Sequence, residues 1–115
     1  MEHQQIFATN IFLIDDFIPM STEYERSIML GMKYHISDLW KERDYDNNWQ
    51  TKSADLHKKK EFEHFTKLII KTGKDICDTL GYDVKDLIIT DMWANVLKNN
   101  ESHPVHTHSN NFLSG

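Results

Sequence analysis

A single cysteine, Cys77, excludes an internal disulfide framework in this chain of 115 residues. Its place on the apolar side of a predicted helix makes it a small buried hydrophobe. No run is long and apolar enough to cross a membrane. The opening "MEHQQIF" has no basic stretch leading into an apolar one, so no secretory signal is read there. A cytoplasmic protein is the expectation. Positive charge is also in short supply. Thirteen Lys and Arg stand against eighteen Asp and Glu, a formal net charge of −5, which argues against a general nucleic-acid role. The one basic run, Lys58 to Lys60, is followed by Glu61 and Glu63 and reads as a solvated helix start. Several catalytic signatures are missing too. There is no C-x-x-C pair for a structural zinc, no H-E-x-x-H helix, no glycine-rich phosphate loop and no G-x-S-x-G elbow.

What is present suits one domain over residues 1–115: 39% apolar residues, 27% charged residues and thirteen aromatics. "IFATNIFLIDDF" reads as an opening strand or pair of strands, broken by Pro19. Thr22 and Glu25 then have the spacing of a capping box. Ile28, Met32 and Ile36 repeat on one face of the helix that follows. The polar stretch "KERDYDNNWQTKSADLH" has neither period and reads as a surface excursion, pinned by Trp49 and Leu56. A second helix is predicted from about Lys59 to Leu80. Phe62, Phe65, Ile69, Thr72, Ile76 and Leu80 form its apolar stripe, expected to be buried against a sheet, and Gly81 stops it. "LIITDMWANVLK" reads as a strand with Ile89, Asp91, Trp93 and Asn95 on one side. "NNESHP" is a turn, and "VHTHSNNFLSG" reads as a further strand.

Three of the seven histidines fall between positions 103 and 108. His106 and His108 are two apart, so in a strand both face one way and could grip one metal ion. Pro104 argues against a helix there. His103 lies beyond Pro104, in the turn. The same spacing also arises by chance on a solvent-facing edge strand.

"DMWANVLKNNESHPVHTHSNNFLSG" resembles the signature region of a group of 2-oxoglutarate/Fe(II)-dependent oxygenases of phages and bacteria. The matching positions are Trp93 and Asn95, His106 and His108, and Leu113-Ser114-Gly115. "WQTKSADLHKKKEFEHFTKLI" resembles the segment before that group's long helix, and "IFLIDDFIP" is a looser match. The likeness is specific in residues 91–115 and suggestive elsewhere. It implies an α+β chain with a double-stranded β-helix, a jelly-roll or cupin-like fold, backed by N-terminal helices. It implies Fe(II) on the inner face, 2-oxoglutarate as chelating co-substrate, and hydroxylation of a C–H bond. His106 would be the first iron ligand. His108 would be the second, or a residue supporting the ligands from behind. Asn95 and Ser114 would line the co-substrate pocket, while Trp93 reads as core packing. The wider superfamily has Asp or Glu where His108 stands, and the nearest carboxylate here, Glu101, lies upstream.

Chains of this kind run on past Leu-Ser-Gly to a distal histidine and a basic partner for 2-oxoglutarate. The resemblance therefore implies an N-terminal portion, with the jelly roll incomplete at its C-terminus. Weak iron binding and self-association through an open sheet edge are the expectations. Two other readings stay open: a non-catalytic metal- or sugar-binding jelly-roll module, and an assembly protein that binds a partner through its helical face. The substrate class is open among a protein side chain, a free amino acid and a nucleobase.

Overall fold

The computed structural model describes residues 10–41, 49–109 and 111–115. Helix α1, Glu23–Lys41, starts where the capping box places it. The Thr22 hydroxyl accepts the Glu25 N–H at 3.1 Å, and Glu25 Oε1 accepts the Thr22 N–H at 3.1 Å. Two donors that the first turn would leave unpaired are thereby satisfied. The four-residue repeat then turns Met32 into the core, with Ile28 and Ile36 half-buried beside it.

Strand β1, Trp49–Gln50, lies inside the stretch read as a surface excursion. The two pins hold. Trp49 meets Trp40 of α1 edge-on at 6.3 Å, and Leu56 is only 2% exposed. Two 3₁₀ turns, Leu56–Lys58 and Lys60–Phe62, lead into helix α2, Glu63–Thr79. The predicted start at Lys59 is thus a tighter turn, and the α-helix proper begins four residues later. Gly81 ends the helix as expected, at φ 77°. The Tyr82 N–H reaches back to the Cys77 carbonyl at 2.9 Å, and the Gly81 N–H to Asp78 at 3.1 Å. This is a Schellman closure, which needs the left-handed backbone that glycine takes without strain.

Strand β2, Asn95–Val96, pairs antiparallel with β1, Trp49 opposite Val96 and Gln50 opposite Asn95. The predicted strand over "LIITDMWANVLK" is regular only there and at an isolated bridge between Met92 and Asp55. The core is Ile18, Met32, Leu56 and Phe62, with Phe65, Leu68, Met92 and Ala94 packed against it. It lies between α1, the 3₁₀ turns and the first turns of α2.

Three expectations change. Residues 10–17 form no strand. The chain turns at Asp15 to Ile18, Asp16 is left-handed at φ 49°, and only Ile18 is buried. The rest of that predicted element lies outside the described residues. The α2 stripe is not uniformly buried. Phe62 is buried beside α1, Phe65 meets Phe17 edge-on at 5.8 Å, and Ile69 and Ile76 are half-buried. The deepest positions of α2 are Gly73 and Cys77, the latter 0% exposed, which agrees with the reading of Cys77 as a small hydrophobe. The segment "VHTHSNNFLSG" holds no strand among the described residues. Those residues contain two helices and a two-stranded sheet, and a jelly roll is not evident in them. Among them no helix is long and apolar enough to cross a membrane.

Candidate functional site

Beyond β2 the chain turns at Asn99 and Asn100, the latter left-handed at φ 69°. Glu101 closes that turn: its carboxylate accepts the Lys98 N–H at 2.8 Å, and its own N–H reaches the Lys98 carbonyl at 3.1 Å. The nearest carboxylate to the histidines in sequence is therefore engaged by backbone.

Residues 102–109 are exposed and irregular, yet their rings gather. The Nε2 atoms of His106 and His108 lie 2.8 Å apart. The Nδ1 of His106 is 2.8 Å from the Pro104 carbonyl, and the Nδ1 of His108 is 2.7 Å from the Ser114 hydroxyl. Proton positions follow from donor chemistry. A carbonyl only accepts, so His106 carries its proton on Nδ1 and its Nε2 is an acceptor. With both rings neutral, His108 must then donate from Nε2. Its Nδ1 accepts from Ser114, and the three contacts form one directed chain. His103 adds its ring edge-on to His106 at 4.6 Å, and Trp93 lies tilted against His108 at 5.6 Å.

The shared direction expected for His106 and His108 is thus present, produced by an irregular segment instead of a strand. The inner-face placement that the resemblance implies for the iron ligands is not seen, because both are exposed. Trp93 departs from its reading as core. Met92 and Ala94 pack against the core cluster, whereas Trp93, half-buried, lies outside it and meets His108. That alternation was the available signal, and a large aromatic masked it. The role of the Pro104 carbonyl had no signal in side-chain types. Asn95 is exposed in β2 opposite Gln50, and no hydrogen bond among the described residues joins it to the histidines. Ser114 does reach them, through His108. Two other histidines are engaged elsewhere: His35 faces Glu61 at 3.7 Å, and His64 meets Tyr24 edge-on at 5.5 Å. His3 lies outside the described residues.

The pair fits half of a metal centre. Imidazole nitrogens bind such ions at about 2.0–2.1 Å, which sets two neighbouring ligand atoms about 3 Å apart. Imidazole also suits iron. A metal on both Nε2 atoms would require both protons on Nδ1, where the Pro104 carbonyl and the Ser114 oxygen can accept them. Among the described residues, no three His, Cys, Asp or Glu side chains come together in a way that could hold a metal ion. A shallow depression on the exposed side of α2, lined by Lys67, Ile70, Lys71, Lys74, Asp75 and Asp78, includes none of these histidines. Comparison with family models, with curated proteins and with solved structures gives no match.

Proposed function

We propose that the chain carries the metal-binding segment of a 2-oxoglutarate- and Fe(II)-dependent dioxygenase, with His106 and His108 as two iron ligands. The observation behind this reading is the convergence of their Nε2 atoms at 2.8 Å, with both Nδ1 atoms engaged from behind. When bound, iron and 2-oxoglutarate would supply activation of dioxygen for C–H hydroxylation. The chain's own part is to hold two imidazoles in one orientation and leave the rest of the metal's coordination open. Asn95 is placed beside the co-substrate by the resemblance alone. A cytoplasmic setting, with Cys77 reduced, accompanies this reading. So does pairing of two copies through exposed strand edges.

The presence of only two converging ligands among the described residues favours one second reading, a non-catalytic metal-binding module. Anaerobic titration of the full chain with Fe(II) and 2-oxoglutarate separates the two. A visible metal-to-ligand charge-transfer band that disappears in His106→Ala and His108→Ala is the expected result. Fe(II) retained without that band would select the module. No Fe(II) binding at all would refute both readings.

A further inference from the structure

The segment after the histidines returns to the body of the protein. Phe112 meets Tyr82 edge-on at 5.5 Å, directly after the Gly81 closure of α2. Leu113 rests over Gly73. A Cβ built at Gly73 would lie 3.5 Å from Leu113 Cδ1 and 3.0 Å from Leu87 Cδ1, so the missing side chain makes room for both leucines. The Thr90 hydroxyl reaches Asn111 Oδ1 at 3.5 Å. These contacts fix where the next residue, Ser114, presents its hydroxyl, and it presents it to His108 Nδ1 at 2.7 Å.

We propose that Ser114 is a positioning residue for His108, held in register by the docking of Phe112 and Leu113 on the C-terminal half of α2. This rests on the two-histidine metal reading. A hydroxyl is the group this position requires, because it both donates and accepts. In the metal-free chain it donates to Nδ1, and His108 keeps its proton on Nε2, facing His106. When Nε2 takes a metal, the ring proton resides on Nδ1 and the hydroxyl turns to accept it. Alanine can do neither. Threonine can do both. The resemblance gave Ser114 to the co-substrate pocket; here it acts on the metal through His108.

The test uses the full chain with ¹⁵N-labelled histidine. In metal-free protein, held alkaline enough to keep the rings neutral, wild type should show His106 protonated on Nδ1 and His108 on Nε2. Ser114→Ala should reduce the His108 preference, which His106 Nε2 alone then supports, and Ser114→Thr should restore it. Co(II) titration should then show binding weakened about tenfold in Ser114→Ala, the lower end of what loss of such a partner costs. Ser114→Thr should restore the affinity, and Leu113→Ala should weaken it in the same direction. Unchanged Co(II) affinity in Ser114→Ala overturns the proposal. If wild type binds no Co(II), the metal reading fails by itself. The proton position on His108 then decides whether Ser114 orients that ring, and an unaltered preference in Ser114→Ala overturns the proposal in that case too.

Discussion

The described residues of 18–96 and those of 101–115 are held by different means. In the first region Ile18, Met32, Leu56 and Phe62 lose nearly all contact with water. In the second, Val105 is fully exposed, and the segment takes its shape from ring contacts, from hydrogen bonds to a hydroxyl and a carbonyl, and from Leu113 over Gly73. Burial of an apolar side chain contributes about 1.5–3 kcal/mol, whereas a typical hydrogen bond contributes about 1 kcal/mol net because water competes for both partners. The body therefore resists single changes up to a threshold and then fails as a unit. The C-terminal segment is the sum of a few small terms and can open while the body stays folded. A candidate site on such a segment can admit a ligand without unfolding its support.

The largest effect that could break this contrast is expected at Phe62. Phe62→Ala removes a buried ring from between α1 and α2 and should cost about 3–5 kcal/mol, read from urea unfolding. Phe112→Ala, on a ring that is 63% exposed, serves as the counterpart. Equal losses at the two positions would erase the distinction between the regions.

A middle-sized effect is expected at the start of α1. Thr22→Ala removes one acceptor and one donor of the capping box and should cost about 1 kcal/mol. Amide exchange should quicken in the first turn of α1 and stay unchanged at Phe112 to Ser114. Spread of the effect into the C-terminal segment would mean that the two regions are coupled.

The smallest effect concerns acid. The hydroxyls of Thr22 and then Ser21 hold the Glu25 carboxyl below its ordinary value, since both donate to its charged form. A depressed folded value stabilises the fold above the ordinary carboxyl range, and that contribution fades as pH falls through the folded value. Carbon-detected titration of Glu25 should give a midpoint below that of a free glutamate, and Thr22→Ala should move it upward. An ordinary midpoint in the wild type would remove this cap from the account of the body.

The parts readable from sequence were those set by local rules. The Thr22 and Glu25 spacing, the repeat of Ile28, Met32 and Ile36, and Gly81 each act within one or two turns of chain, so composition and period sufficed. The misread parts depend on partners far away in sequence. Trp49 and Gln50 lack strand alternation and become a strand because residues 95 and 96 pair with them. Ile11 and Leu13 look like strand residues, yet they stay exposed, and the described chain there forms no ladder. Cys77 was assigned correctly as buried. Its neighbour Gly73 had no signal, because its significance lies in Leu87 and Leu113. At the candidate site, the spacing of His106 and His108 implies a common direction only for a strand, and here an irregular segment brings the two rings together. The serine that orients one and the carbonyl that orients the other emerge only when the chain folds back.

The pairing of β1 with β2 also constrains the order of folding. Trp49 and Val96 are 47 positions apart (96 minus 49), and all of α2 lies within the loop they close. As a helix, those 17 residues span about 26 Å. Extended, they could reach about 60 Å, and the ends would have a far larger volume to search. Helices relax within about a microsecond, well before contacts of such long range are found. The pairing of Trp49 and Gln50 with Val96 and Asn95 is therefore a late event that waits on α2. Changes that weaken α2 should slow folding, whereas changes confined to residues 49–56 should leave the folding rate alone and hasten unfolding.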